Sequence, residues 1–159
     1  MKKRLMLTAL LVLFLFAGCG GSNSPSDTPQ PQTPSGGGGS NPSYLNDNQE
    51  QDTEVLYIQW TKSNGQLTGS WNDAILQTNT IGYTNLPITG TYDSGTGAIN
   101  FIRRNTDGSE TPISGTIQNN KLVLQTQQNG QPINRTLHVA VYLDYQQALS
   151  AFRAKHPGS

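Results

Sequence analysis

Leu67-Thr68-Gly69-Ser70-Trp71 is the first of three similar stretches, followed by Ile88-Thr89-Gly90-Thr91-Tyr92 and Ile113-Ser114-Gly115-Thr116-Ile117. Each stretch has the order apolar, hydroxyl, glycine, hydroxyl, apolar. Alternate side chains of a strand share a face, so each glycine lies on the same face as its two apolar neighbours. A glycine at that position relieves crowding and lets the strand coil, which barrel closure requires. A glycine that leaves space for a ligand is the alternative, and we favour curvature.

Turn sequences separate the alternating segments around these stretches. Asn64-Gly65, Asp107-Gly108 and Asn129-Gly130 suit hairpin turns, which need a positive φ. Ser94-Gly95-Thr96-Gly97 and Gln118-Asn119-Asn120 indicate two further turns. The segments between the turns predict strands at 53–62, 66–73, 86–93, 97–104, 110–117, 121–127 and 132–141.

Within these strands the apolar residues alternate with polar ones. The residues predicted to share a face are Leu56, Ile58 and Trp60; Ile99 and Phe101; Leu122 and Leu124; and Leu137, Val139 and Val141. Short links make successive strands antiparallel neighbours. The predicted fold class is therefore all-β, an antiparallel up-and-down meander that closes into a small barrel of about seven or eight strands.

The C-terminal sequence DYQQALSAFRAK, residues 144–155, predicts a short helix that ends before Pro157. Its apolar residues have helical spacing and form one stripe: Tyr145, Ala148, Leu149 and Phe152. Asp144 is placed to cap this helix, with Gln147 three residues later. We expect the helix to cover one end or face of the barrel, and a partner-binding helix is the alternative.

The N-terminal region predicts export. Lys2-Lys3-Arg4 precede an apolar run from Leu5 to Phe16, which is interrupted by Thr8. The run is shorter than the roughly 20 apolar residues of a membrane-spanning helix and has the length of a signal-peptide core. The sole cysteine of the chain, Cys19, follows this run.

Phe16-Ala17-Gly18-Cys19 resembles the lipobox of bacterial lipoproteins, with Phe16 at the usual aliphatic position. The resemblance implies that residues 1–18 are a signal peptide and that cleavage leaves Cys19 carrying lipid, including acyl chains such as palmitate. Lipid on Cys19 implies a membrane partner and a cell-envelope location on the extracytoplasmic side. That location is the outer membrane in a Gram-negative host and the cell surface in a Gram-positive one. An ordinary secretory peptide with a chance cysteine is the alternative.

Composition divides the remaining chain into a linker and a domain. Residues 19–43 contain Gly, Ser and Pro and no large apolar residue, which predicts a disordered linker. Residues 44–159 carry the strands and the helix and are predicted to be one domain. Without Lys2, Lys3 and Arg4, seven basic residues face ten acidic ones, a net charge of −3, and no basic cluster indicates a nucleic-acid partner.

The sequence NGQLTGSWND (64–73), followed by LPITGTYDSGTG (86–97), resembles the second and third strands of the avidin and streptavidin family. Similar strands occur in lipocalin-like small barrels. Biotin binding in the avidin family rests on a second-strand Tyr and Ser and on later tryptophans. Trp71 and Asp73 stand at the matching second-strand places here, and no tryptophan follows Trp71. The resemblance therefore implies the barrel fold rather than biotin binding.

Four aromatic residues are the candidate ligand-binding residues: Trp60, Trp71, Tyr83 and Tyr92. We expect them to line a barrel mouth and stack on a sugar or an apolar ligand, with core packing as the alternative for both tryptophans. His138 alternates with Leu137 and Val139 and is predicted to face solvent. No histidine, cysteine and acid cluster has the spacing of a metal site, so no metal or cofactor is predicted.

Three functions fit this sequence. We favour a non-catalytic module that binds a small apolar or sugar ligand in a cavity lined by Trp71 and Tyr92. The second is a protein-interaction, inhibitor or envelope-assembly subunit, which predicts a filled barrel and an apolar patch outside it. The third is a hydrolase that uses Asp73 and Asp93, which predicts carboxylates within about 5–9.5 Å of each other.

Overall fold

The computed structural model describes residues 41–46, 53–128 and 130–158. The strands are β1 (Ser43–Asn46), β2 (Glu54–Ser63), β3 (Gln66–Gln77), β4 (Thr80–Tyr92), β5 (Ala98–Arg104), β6 (Glu110–Gln118), β7 (Lys121–Gln128) and β8 (Gln131–Val139), and they are followed by the helix α1 (Tyr142–Lys155). They form a closed antiparallel barrel in chain order, and β8 returns to pair with β1. The predicted fold class is confirmed.

The predicted signal peptide, Cys19 and most of the predicted linker lie outside the described residues and stay predictions. Strand β1 begins at Ser43, the last residue assigned to the linker. Ser43 Oγ donates a hydrogen bond to the Ala140 carbonyl oxygen at 2.5 Å, which ties this residue to the barrel.

The largest differences from the predicted strand bounds concern β1, β3, β4 and β8. Strand β3 ends at Gln77 instead of residue 73. Strand β1 was not predicted, and β4 begins at Thr80 instead of residue 86. The turn before β4 contains Thr78 at φ 55, so a β-branched residue has the positive φ that glycine or asparagine has in the hairpin turns predicted from sequence. Strand β8 ends at Val139 because Val141 is the N-cap of α1. Leu137 is buried as expected, whereas Val139 and Val141 are 54% and 60% exposed.

The glycines of the three similar stretches lie where neighbouring strands approach closely. A Cβ on Gly69, Gly90 or Gly115 would overlap a backbone carbonyl oxygen of the adjacent strand. Each of these glycines pairs with a large inward residue of the adjacent strand: Gly69 with Trp60, Gly90 with Phe101 and Gly115 with Leu124. The sharp coiling of these strands therefore depends on the missing side chain.

Inward side chains from all eight strands fill the middle of the barrel. They include Ile58, Ile88, Ile99, Phe101 and Leu137, each at most 1% exposed. The predicted alternation on β2, β5 and β7 is confirmed, and His138 is exposed as predicted.

The helix α1 covers an outer face of the barrel rather than an end. Tyr145 and Phe152 are buried against outward residues of β1, β2 and β3, and the Tyr145 ring stacks on Tyr57 with centroids 5.1 Å apart. The predicted apolar stripe is confirmed, but the helix begins two residues earlier than predicted. Asp144 is therefore not the N-cap, although its Oδ2 accepts a hydrogen bond from the Val141 N–H at 2.8 Å.

One end of the barrel separates into ribbons. Pairing between β6 and β7 extends only to Ser114 and Gln125, and pairing between β4 and β5 only to Ile88 and Arg103. The β3–β4, β5–β6 and β7–β8 hairpins nevertheless continue beyond these points. We call this the split end, formed by the hairpin turns near residues 77–80, 104–110 and 128–131.

Prolines mark the open edges of these ribbons. Pro87, Pro112 and Pro132 each pair with a neighbour on one side of their strand and lie beyond the paired region on the other. Proline has no N–H to donate and is therefore tolerated at strand edges. These prolines therefore reduce the number of unpaired backbone N–H groups at the edges where the hairpins separate.

Candidate functional site

The four aromatic candidates do not meet in one site. Trp71 lies at the split end, whereas Trp60 and Tyr92 lie at the opposite end, which we call the entry end because Pro42 leads into β1 there. The filled middle of the barrel separates them. Tyr83 is outside the barrel, 39% exposed, and its hydroxyl accepts a hydrogen bond from Arg153 Nε of α1 at 2.8 Å. A single cavity lined by Trp71 and Tyr92 is therefore wrong.

The split end contains a cavity of about 590 Å³. Its inward lining is polar and comes from six different strands: Glu54, Asp73, Arg103, Thr111, Thr126 and Arg135. Trp71 and Ile113 form an apolar floor. Outward residues of β6 and β7, Ser114 and Gln125, also border it, so the cavity opens through the gap between these strands.

Asp73 is fixed on the floor of this cavity. It is 5% exposed, and its Oδ2 accepts a hydrogen bond from Trp71 Nε1 at 3.0 Å. Its Oδ1 accepts another from the Thr84 hydroxyl. Both carboxylate oxygens therefore have donors, but among the described residues no cation forms an ion pair with Asp73.

Glu54 of β2 and Arg135 of β8 form an ion pair, although β1 lies between these two strands in the order of the sheet. Nη1 of Arg135 donates to both carboxylate oxygens of Glu54. The Arg135 side chain is 15% exposed and the Glu54 side chain is 10% exposed. Arg135 Nε and the Thr126 hydroxyl are buried without a protein partner in the described part of the chain. Buried donors of this kind bond to water or to a ligand, which makes this wall of the cavity hydrophilic.

Arg103 is held differently. Its guanidinium carbon lies 5.0 Å from the Trp71 ring centroid, and its Nε donates to Asn105 Oδ1 at 3.2 Å. Asn105 in turn donates to the Thr111 hydroxyl at 2.9 Å. Within the described ranges, neither terminal nitrogen of Arg103 has a hydrogen bond or an ion pair.

The entry end has a second, smaller cavity of about 370 Å³. Tyr44 stacks on Trp60 with ring centroids 5.2 Å apart, and Lys62 Nζ lies 4.4 Å from the Tyr92 ring centroid. Burial, followed by the nearby Tyr92 hydroxyl, raises the pKa of Tyr44. Tyr44 and Trp60 belong to the buried core, and the partly buried Tyr92 packs against it.

The proposed acid pair of Asp73 and Asp93 is not formed. Asp73 pairs with Thr84 on β4, and Asp93 lies nine residues farther along the chain, after the opposite end of β4. At about 3.3 Å per strand residue this places the two roughly 25–30 Å apart. Hydrogen bonds from the Gly95 N–H and the Thr96 hydroxyl, in a surface turn, lower the pKa of Asp93. The hydrolase hypothesis based on this pair is therefore wrong.

The described residues contain no group of three or more His, Cys, Asp or Glu side chains placed to hold a metal ion. No helix there has the length and apolar character needed to cross a membrane.

Sequence reasoning missed Glu54, Arg103 and Arg135. Each has the strand parity of buried neighbours: Glu54 with Leu56, Arg103 with Phe101 and Arg135 with Leu137. A charged residue in an inward position was the available signal, since charge is rarely buried without a partner. It indicates a barrel end that is not sealed by apolar side chains.

In comparisons with known proteins, no family model, no curated protein and no solved structure matches the chain significantly.

Proposed function

We propose that the barrel is a non-catalytic binding module that takes a small molecule into the split-end cavity. The observation that carries this proposal is the cavity of about 590 Å³, whose polar side chains converge from six strands above an apolar floor. Small-molecule sites typically have volumes of about 300–1,000 Å³ and combine an apolar surface with a few placed polar groups. The gap between β6 and β7 supplies an entrance.

The lining also limits how a ligand binds. Trp71 is 2% exposed and one of its faces is covered by Arg103, so a sugar or aromatic ring does not stack on it directly. We therefore expect hydrogen bonds to the polar wall to dominate, with Trp71 fixing Arg103 and Asp73.

A thermal-shift screen of the full-length chain against sugars, lipids and small apolar compounds tests this function. A ligand at 100 times its Kd stabilises the folded state by about 2.7 kcal/mol, which raises Tm by about ten degrees for a domain of this size. We expect Thr111→Trp, which adds bulk to the cavity wall, to abolish the shift. Thr116→Trp, on the outer face of the same strand, should leave it unchanged.

Two results would contradict this function. A flat screen on folded protein would remove the support for a small-molecule module. A hit that is insensitive to Thr111→Trp but is lost in Ile117→Trp would place the ligand in the entry-end cavity, which Ile117 lines.

A protein-interaction subunit is the alternative. It is favoured by one observation, an apolar surface of Val139, Val141 and Leu143, which are 54%, 60% and 58% exposed where β8 meets α1. Its prediction of a filled barrel matches only the middle of the barrel, because both ends contain cavities. Capture of one protein by the native chain, lost in Leu143→Asp and retained in Thr111→Trp, would favour this alternative.

We also propose that lipid on Cys19 anchors the protein to a membrane on the extracytoplasmic side. The sequence around Cys19 supports this anchor, since small residues precede the cysteine at the end of an apolar run. Mass spectrometry of the mature protein should find a diacylglyceryl adduct on Cys19. Cys19→Ser should move the protein from the detergent phase to the aqueous phase, and an unmodified wild-type cysteine would refute the anchor.

A further inference from the structure

Arg103 has the features of a ligand-binding group that is held ready. It lines the split-end cavity, and two contacts fix its guanidinium plane: the Trp71 ring at 5.0 Å and Asn105 Oδ1 at 3.2 Å. Asn105 is itself held by donation to Thr111 and to Ser109, both at 2.9 Å. A fixed guanidinium loses little rotamer freedom when a ligand binds, which favours affinity.

The other charges of the cavity leave Arg103 available. Arg135 is occupied by both oxygens of Glu54. Asp73 accepts from Trp71 and Thr84. In the described chain the terminal nitrogens of Arg103 thus have no acceptor, although they carry four N–H groups.

From this geometry we propose that Arg103 binds a carboxylate group of the ligand through its terminal nitrogens. The planar fork of a guanidinium matches the two oxygens of a carboxylate, and such bidentate, charge-assisted hydrogen bonds are both strong and specific. The class of ligand is a small organic acid whose remaining part fits the hydroxyl-bearing wall and the apolar floor. This inference rests on the proposed binding function and adds the chemical class of the ligand.

Matched pairs of probes test this assignment by calorimetry on the full-length chain. Each pair keeps the body of the molecule and changes the charge: octanoate with octanamide, phenylacetate with phenylacetamide, and glucuronate with glucose. The body that binds distinguishes an apolar acid from a sugar acid. We expect one carboxylate to bind at least about tenfold more tightly than its neutral partner.

Variants locate the preference. Arg103→Gln should raise the Kd of that carboxylate by about tenfold or more and change the Kd of its neutral partner much less. Arg103→Lys keeps the charge without the planar fork and should lie between wild type and Arg103→Gln. Arg104→Gln is the matched control, since the adjacent Arg104 side chain is 66% exposed and pairs with Glu110 on the outer surface.

Three outcomes overturn the assignment. Equal binding of the charged and neutral members, unaffected by Arg103→Gln, removes the role of Arg103 and leaves the binding function intact. The same holds if no carboxylate binds while the thermal-shift screen finds a neutral ligand sensitive to Thr111→Trp. If neither experiment finds a ligand, the inference and the binding function both fail.

Discussion

Replacing Glu54 by glutamine removes the carboxylate charge that pairs with Arg135 and keeps the size of the side chain. The two side chains are only 10% and 15% exposed, for Glu54 and Arg135. Removing one partner of a buried ion pair costs about 3–5 kcal/mol, because the remaining charge is left uncompensated. Arg135 borders a cavity that admits solvent, so we expect the lower part of this range, about 3 kcal/mol.

An exposed ion pair of the outer surface provides the control. Arg104 and Glu110 are 3.2 Å apart, but their side chains are 66% and 53% exposed. Exposed pairs contribute about 0–1 kcal/mol, so Glu110→Gln should change the free energy of unfolding by less than about 1 kcal/mol. The two substitutions make the same chemical change and differ in the burial of the site.

Urea unfolding followed by tryptophan fluorescence measures both effects. With an m-value of about 1–3 kcal/mol/M, Glu54→Gln should lower the midpoint by about 1–3 M. The double variant Glu54→Leu/Arg135→Met should recover most of this loss, because a hydrophobic pair of similar volume avoids the desolvation cost. Equal losses for Glu54→Gln and Glu110→Gln would refute the reasoning, since the cavity rim would then be as well solvated as the outer surface.

Three further predictions concern the barrel wall and the helix. Gly90→Ala should lower the free energy of unfolding in urea by about 2 kcal/mol or more, because the new methyl group overlaps the Asn100 carbonyl oxygen. Gly82→Ala is the control and should lower it clearly less, because its methyl group meets only the flexible Gln77 amide, at 3.1 Å. Phe152→Ala should lower the free energy of unfolding by about 3–5 kcal/mol, and Leu143→Ala, 58% exposed, by less than about 0.5 kcal/mol; similar losses would show that α1 is not docked on the barrel. Burial, followed by the neighbouring Tyr142 hydroxyl, raises the pKa of Tyr145 from 10.0 to about 12. Between these pH values the unfolded chain releases a proton that the folded protein keeps, so the free energy of unfolding falls as pH rises. Tyr145→Phe should remove part of the alkaline loss measured between pH 9 and pH 12, about 1–2 kcal/mol after solvent screening, and equal losses in both proteins would contradict the raised pKa.

The sequence predicted the strands best where apolar residues alternate between recognisable turns. The Asn64-Gly65 turn has φ values of 51 and 77, as the hairpin prediction requires. The sequence did not predict β1, and it predicted only the second half of β4. The four residues of β1 are too few for a periodic pattern, and the turn before β4 uses Thr78 at a positive φ instead of glycine.

The candidate site was predicted only in part. Trp71 does line a cavity, but its association with Tyr92 was wrong because inward residues of one barrel occupy different heights along its axis. Alternation specifies the face of a strand that a residue occupies, but it does not give the height at which that residue meets other strands.

By itself the sequence determined the all-β class, the order of antiparallel neighbours and the inward face of most strands, since these follow from a period of two and from local turn chemistry. Tertiary structure decided which residues meet. Glu54 and Arg135 are 81 positions apart, and Arg103 reaches Trp71 from a different hairpin. These meetings depend on the register between all eight strands and on where their pairing stops, which closure of the whole barrel sets.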